Sequence, residues 1–392
     1  MQNIHVCLVS AQLLPNIIPV LMHKPDKVCL VVTKTMQVQA TILENFLTKR
    51  DFKVKVYPEA PDHNSQAIMD FALEIIAELD QDDTDVMLNV TGGNKLMALA
   101  FSNVFSSNEN TIFYTDTRYQ HLEHLEQGHV PEPLSSVLKI PDYLEAQNLT
   151  FRHALSDQIH WQQTCHARKK VTKFLGHNST KLAEFFGVMN NLAGHAVESA
   201  GYKQVKLKQA HQELVNFPRG IWFEALNNIH QAGLIAWDEA QSIDFIDLEK
   251  TSYINGLWLE EYCWHIANDI GFDDIRCGVE ITWNQGSRQH APRNEFDLLI
   301  VHQNRMLVIE CKTANMGFAQ LEKNQTIVSK LESLGNNAGG TFGQQLLVSA
   351  RELKEDLRSR CLNQHIDVVE KAGLVSLLKE KLQKWKLTGD IR

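Results

Sequence analysis

A chain of 392 residues is long enough for two or three domains with full cores, and its 44% hydrophobic content is that of a globular protein. No apolar run approaches the ~18 residues of a membrane span. Residues 1–20 lack the pattern of a signal peptide, and the seven cysteines are scattered with no C-x-x-C pair. A membrane partner, a disulfide frame and a zinc cluster are therefore not indicated, and a cytoplasmic location is expected. The net charge of −9 sits near the N-terminus: residues 1–145 hold 10 Lys+Arg against 19 Asp+Glu, residues 146–250 hold 11 against 10, and residues 251–392 hold 17 against 18. Any grip on nucleic acid should thus be weak and salt-sensitive, without a broad basic surface.

From the N-terminus, apolar runs alternate with amphipathic ones. The pattern predicts strand Ile4–Ser10, a helix, strand Val28–Thr33, helix Gln37–Arg50, strand Phe52–Tyr57, helix Ser65–Leu79, strand 86–90, a helix Leu96–Phe105 and strand Thr111–Thr115. Such alternation implies a parallel doubly wound sheet with its ligand crevice beyond the carboxyl ends of the strands. Four segments fall there: the Ser10–Asn16 loop with Gln12, Thr33-Lys34, the turn Thr91-Gly92-Gly93-Asn94-Lys95, and Asp116-Thr117. A strand, a glycine turn and a helix start make an anion cradle from backbone N–H groups and the helix dipole. Neither a Walker loop nor G-x-G-x-x-G is present. His121, His124 and His129 lie in a polar segment and read as surface histidines.

The run Asn89-Val90-Thr91-Gly92-Gly93-Asn94-Lys95 resembles the signature turn of CARF domains, the Rossmann-like sensors of cyclic oligoadenylates made by type III CRISPR complexes. Asn94 replaces the commoner threonine. The resemblance implies a cyclic oligoadenylate ligand, cyclic tetra-adenylate favoured, bound by Ser10, Gln12, Thr33, Thr91, Gly92, Gly93, Asn94, Lys95, Asp116 and Thr117.

Residues 146–250 connect the two ends of the chain. Helical pattern dominates from Tyr143 to Glu198, and 216–233 reads as a helix with a glycine stop. Leu234–Trp237 and Ser242–Ile246 read as a hairpin, so the whole has the outline of a winged helix-turn-helix. Its candidate reading helix has only Arg219 as a cation, which favours a structural connector.

Beyond residue 250, Asn255–Ala267 reads as a helix stopped at Gly271. Glu260 has apolar neighbours at each helical step, whereas Glu261 adjoins His265 and Asn268 and reads as nearer the polar side. Then come Asn294–Val301, a turn at Gln303-Asn304, and Met306–Lys312, which read as a β-hairpin. With a two-residue loop Asp297 sits opposite Glu310, and Lys312 projects from the same face as Glu310. Two carboxylates and an ammonium on one patch are costly unless they serve a metal or each other. Asp297, Glu310 and the Cys311 carbonyl are oxygen donors suited to Mg²⁺ or Mn²⁺. Lys312 can orient the attacking water or hold the phosphate. The segment 330–343 adds a basic helix end and the pair Gly339-Gly340, which reads as a loop into strand Gln345–Ser349.

A helix carboxylate followed by a D…ExK hairpin resembles the PD-(D/E)xK nuclease superfamily over residues 251–350, with Gly256 four residues before Glu260 and Phe296 where the name implies proline. The resemblance implies that Glu260 completes the metal site with Asp297, Glu310 and Cys311. The expected fold class is thus a multidomain α/β protein: a Rossmann-like CARF domain (1–145), a helical winged-helix-like connector (146–250) and a restriction-endonuclease-like α/β domain (251–392). The expected function is a homodimeric metal-dependent nuclease acting on DNA or RNA and switched on by the ring. Two alternatives stay open: a DNA-binding regulator whose hairpin acids are structural, and a constitutive repair or restriction-type nuclease.

Overall fold

The computed structural model describes residues 2–79, 83–126, 128–200, 203–283, 293–313 and 343–392. The expected segment 330–342, with Gly339-Gly340, lies outside them. The N-terminal third runs β1 (Gln2–Leu8), α1 (Leu14–His23), β2 (Lys27–Val31), α2 (Gln37–Thr48), β3 (Val54–Tyr57), α3 (Ser65–Leu79), β4 (Thr84–Asn89), α4 (Lys95–Ser107) and β5 (Thr111–Asp116). It continues through β6 (His121–His124), β7 (Glu132–Pro133) and α5 (Ile140–Ala146). The sheet order is β3-β2-β1-β4-β5-β6-β7. β1 to β5 run parallel, β6 runs antiparallel to β5, and β7 runs antiparallel to β6. On one face Ile4, Val6 and Leu8 pack with Ile76, Phe101 and Phe105 of α3 and α4. On the other, Cys7 and Val9 pack with Ile17, Leu43 and Phe46 of α1 and α2. Burial on both faces is why β1 and β2 read as near-continuous apolar runs. Order reverses between β1 and β4, which places the crevice at their carboxyl ends.

The middle of the chain runs β8 (Leu149–Ala154), α6 (Ile159–Ala167), α7 (Lys169–His177), α8 (Ser179–Ala196), β9 (Val197–Ala200), β10 (Lys203–Leu207), β11 (His211–Glu213), α9 (Ile221–Gln231), β12 (Ile235–Ala236) and β13 (Ser242–Phe245). Gly233 follows α9 in the left-handed region, as the glycine stop requires. β12 and β13 form the expected hairpin, and β11 adds to it in the order β11-β13-β12.

The last third has α10 (Leu248–Ser252), a π turn Tyr253–Leu257, α11 (Trp258–Ile270), β14 (Asp274–Trp283), β15 (Arg293–His302), β16 (Arg305–Lys312), β17 (Gln344–Ser349) and β18 (Asp367–Glu370). Helices Glu355–Asn363 and Leu377–Thr388 flank β18. The second large sheet has the order β18-β17-β16-β15-β14-β8. Its edge strand β8, from a segment that sequence grouped with the connector, pairs antiparallel with β14. An edge strand needs a partner ladder, and β14 supplies one from more than a hundred residues away.

Connector and nuclease-type elements share one core, in which the Phe186 ring of α8 lies 4.6 Å from that of Trp258 in α11. A second core joins Tyr143 and Leu144 of α5 to Leu299, Val301 and Val308 of β15 and β16. Among the described residues no helix is long and apolar enough to cross a membrane.

Candidate active site and ligand crevice

The β15–β16 hairpin forms as its sequence suggests. Gln303 and Asn304 both have positive φ, 47° and 56°, as a two-residue type I′ turn requires. The ladder pairs His302 with Arg305 and continues to Leu298 with Ile309, so Asp297 and Glu310 stand at the next step. Asp297 Oδ2 accepts the Cys311 N–H at 2.7 Å. Lys312 Nζ lies 2.6 Å from Glu310 Oε1 and 3.7 Å from Asp297 Oδ2. Glu310 is buried at 4% exposure. Burial disfavours the Lys312 ammonium, but the Asp297 and Glu310 carboxylates outweigh it and hold its pKa above the ordinary lysine value.

The neighbouring strand shapes this end of the hairpin. Cys277 and Leu298 pack in the core beneath α11, whereas Val279 and Phe296, a pair two residues along the ladder, pack in the core on the other side. The alternation of faces therefore breaks between them, at Gly278 and Asp297. Gly278 has φ +60°, and a Cβ there would lie 2.5 Å from Leu155 Cδ1. Only glycine fits that turn of the strand.

Glu260 enters from α11. Gly256, in the π turn just before it, has φ +148°, and a Cβ there would lie 2.8 Å from Thr313 Oγ1. That hydroxyl accepts Asn190 Nδ2 from α8 at 3.1 Å. The connector thus touches the end of the ExK strand, a contact that no sequence pattern signalled. Glu260 Oε2 lies 4.0 Å from the Cys277 thiol. Its carboxyl is pushed well above the usual carboxylate range, first by burial and then by the charges of Asp297, Glu295 and Glu310, with Lys312 opposing. Glu295, two residues before Asp297 and paired with Glu280 across the ladder, was not singled out in the sequence. Its position at strand spacing from Asp297 was the available signal.

Glu261 differs from its expected setting. It is not on the polar side but is buried at 1% exposure, where Arg168 of α6–α7, itself 4% exposed, grips its carboxylate through Nε at 3.0 Å and through Nη2. The Tyr253 ring lies 4.5 Å from the same guanidinium. Burial raises the Glu261 pKa and Arg168 opposes the rise. The helix pattern could not show a partner so distant in the chain.

The donor set suits a hard divalent ion: Asp297, Glu310 and Glu260 offer carboxylate oxygens, and Glu260, whose pKa is raised first by burial, also faces negative charge from Asp297, Glu295 and Glu310 that a cation would offset. Cys311 can contribute only its main-chain carbonyl, since its buried thiol points to Cys263 Sγ at 3.7 Å. Among the described residues no three His, Cys, Asp or Glu side chains form a ready-made metal cage, and the Lys312 ammonium lies against Asp297 and Glu310.

In the N-terminal domain, a crevice of about 230 Å³ opens at the carboxyl ends of β1, β2 and β4. Of the expected residues it gathers Ser10, Thr33, Gly93 and Asn94, joined by Thr35, Met36, Asp62 and Met97. Asn94 caps α4, its Oδ1 accepting the Met97 N–H at 2.9 Å, and its Nδ2 donates to the Asp62 carbonyl. Gly92 is needed because a Cβ would overlap the Leu8 carbonyl. Thr91 points away: its hydroxyl donates to Asn89 Oδ1 at 2.6 Å and accepts the Thr115 N–H at 2.7 Å. Lys95 is exposed on the first turn of α4, and Gln12 is not among the crevice residues. Asp116 caps its own turn, accepting the Arg118 and Tyr119 N–H groups at 2.9 Å. Thr117 lines a different cavity. Nor is His124 a surface histidine: its side chain is 13% exposed, with Nε2 3.7 Å from Glu132 Oε2.

Two family models match the chain: the Card1 CARF domain over residues 4–143 and the Card1-like endonuclease domain over residues 247–389. No curated protein matches it in sequence. Among solved structures it is similar to protein VC1899 from Vibrio cholerae, at 21% identity and a TM-score of 0.83, over 100% of this chain and 99% of that one. It is also similar to Can2 from Sulfobacillus thermosulfidooxidans in complex with cyclic tetra-adenylate, at 24% identity and a TM-score of 0.76, over 98% and 99%. A type III CRISPR defence DNA nuclease activated by cyclic oligoadenylate aligns at 14% identity and a TM-score of 0.52, over 90% of this chain and 46% of that one.

Proposed function

The chain belongs to the CARF–PD-(D/E)xK fusion nucleases of the Card1 type, and on that premise we propose that it is a metal-dependent endonuclease of DNA or RNA, activated by a cyclic oligoadenylate, cyclic tetra-adenylate first, in a homodimer. The observation that carries the reading is the meeting of the Asp297 and Glu310 carboxylates within 3.7 Å of the Lys312 ammonium, beside a Glu260 whose pKa is raised by burial and by those acids. Asp297, Glu310, the Cys311 carbonyl and Glu260 would hold Mg²⁺ or Mn²⁺, which would supply charge neutralisation and a more acidic water when bound. Lys312 holds a phosphate oxygen or orients the attacking water by its ammonium. Without a cation, Glu260 can hold a proton at a pH where an ordinary carboxylate has lost it, and it would release that proton on binding a divalent ion. The Cys311 N–H fixes Asp297 so that its carboxylate stays aimed at the Lys312 side.

The ring is assigned to the crevice lined by Ser10, Thr33, Gly93 and Asn94. A symmetric ring suits an isologous dimer, since both subunits present the same crevice, and its binding would bias the arrangement of the two nuclease halves. The test is cleavage of plasmid, single-stranded DNA and RNA in Mn²⁺, with and without cyclic tetra- or hexa-adenylate. Ring-dependent cleavage supports the reading. Cleavage indifferent to the ring favours a constitutive nuclease, and binding of operator-like DNA without cleavage favours a regulator.

A further inference from the structure

A cavity of about 720 Å³ opens where the sensor meets the nuclease half. Thr117 and Arg118, just past β5, form one side; Arg305 at the start of β16 and the chain end through Arg392 form the other. Among its described lining residues are three arginines and one acidic side chain, Asp390, in a molecule that is acidic overall. Asp390 is already shared, with Arg392 Nε at 3.9 Å and Gln344 Nε2 at 3.4 Å.

Arg305 is the informative residue. It is half-buried, its Nη2 donates to the Arg118 carbonyl at 2.7 Å, and it has no ion-pair partner among the described residues. Other partly buried arginines are paired: Arg50 with Asp142, Arg168 with Glu261, Arg276 with Asp157 and Arg358 with Glu370. Burial of Arg305 lowers its pKa, the direction expected of a cation without a counter-charge. Room is also made for it. Gly389, at φ +73° after the last helix, is a position where any Cβ would overlap Arg305 Nη1. A guanidinium fork held in place without a carboxylate matches phosphate oxygens. No Phe, Tyr or Trp lines the cavity among the described residues, and the His365 ring there lies against Arg392, its Nδ1 3.1 Å from Nη1, so a ligand would be held chiefly by its phosphates.

We propose that this cleft is a second anion site that binds a phosphodiester or polyphosphate ligand, distinct from the catalytic end of the hairpin and from the sensor crevice. Asp297 lies five residues up β15 from the partner of Arg305, about 17 Å at ~3.3 Å per residue. A ligand in the cleft would tie Arg118 of the sensor to Arg305 of the nuclease half.

A nucleic-acid backbone and a free nucleotide share this chemistry, so both serve as probes. A short fluorescein-labelled oligothymidylate and ATP are titrated into the full-length protein in EDTA, by anisotropy and calorimetry. Arg118 and Arg392 are exposed, so the pair Arg118→Glu/Arg392→Glu should keep the wild-type unfolding transition. It should weaken the bound probe by about 10-fold or more, and flatten the salt slope for oligothymidylate by about 1.4. Arg305→Gln should weaken the same probe. Loss confined to oligothymidylate assigns a nucleic-acid backbone, and loss confined to ATP assigns a nucleotide. Equal affinities of the wild-type and charge-reversed proteins, or no binding of either probe by the wild type, would overturn the proposal.

Discussion

At the Asp297 end of the β15–β16 hairpin, Lys312 is one ammonium among Glu260, Glu295, Asp297 and Glu310, and each of these groups has a different expected response to mutation. Asp297→Ala, Glu310→Ala and Lys312→Ala should each lose about 10²–10⁴-fold in cleavage rate while keeping the wild-type fold by circular dichroism. A Glu310→Ala protein that cuts at the wild-type rate would displace the site. Glu260 tests the metal separately from activity. Its folded pKa is raised, so its ionisation opposes folding: the penalty is absent below the ordinary carboxylate pKa and grows as pH rises toward the raised value. In EDTA at neutral pH, Glu260→Gln should therefore raise Tm, and the gain should vanish near pH 4. Added Mn²⁺ should raise the Tm of the wild type and do so less for Glu260→Gln; an equal rise in both would remove Glu260 from the ion's surroundings. Glu261 has the opposite role. Glu261→Ala strands the buried Arg168 guanidinium and should cost about 3–5 kcal/mol in urea unfolding. A loss near zero would contradict the pairing.

At the scale of elements, the hairpin was legible because its turn and its period are local. Gln303-Asn304 between two apolar runs fixes the loop, and the loop fixes which residues face Asp297. The alternation from β1 to β5 was legible for the same reason, and α3 runs over Ser65–Leu79 as read from its pattern. What stayed hidden is non-local. β8 has no hairpin partner nearby and finds β14 instead. Thr91, read as a ligand residue from its place in the turn, spends its hydroxyl on Asn89 and Thr115, which only the parallel sheet brings together. Glu261 was misread because helical periodicity gives faces, not partners. The π turn before α11 was also not foreseen, and it sets the entry of Glu260. Gly256→Ala would press a Cβ against Thr313 Oγ1 in a left-handed conformation, a strain of about 1–3 kcal/mol. Cleavage should fall while ring affinity, measured by calorimetry, stays at the wild-type value. Wild-type cleavage by this variant would mean that the π turn does not position Glu260.

On the scale of the whole molecule, the turn of the β15–β16 hairpin is fastened to the N-terminal domain. Asn304, 3% exposed, accepts the Val137 and Leu138 N–H groups at 3.0 and 3.2 Å and donates to the Ser135 carbonyl at 2.8 Å. Asn304→Gly keeps the left-handed turn but removes all three bonds. It should bind the ring normally yet respond to it with less cleavage, and it should lose about 1–3 kcal/mol of stability. Full activation of this variant would place the coupling elsewhere, such as the core that α5 shares with β15 and β16. The central claim, a nuclease governed by its sensor, is tested most directly by one assay of wild-type and Glu310→Ala proteins in Mn²⁺, with and without cyclic tetra-adenylate, on DNA and RNA. The account predicts cleavage by the wild type that rises with the ring and none by Glu310→Ala under any condition. Cleavage that persists in Glu310→Ala, or that ignores the ring in the wild type, would contradict it.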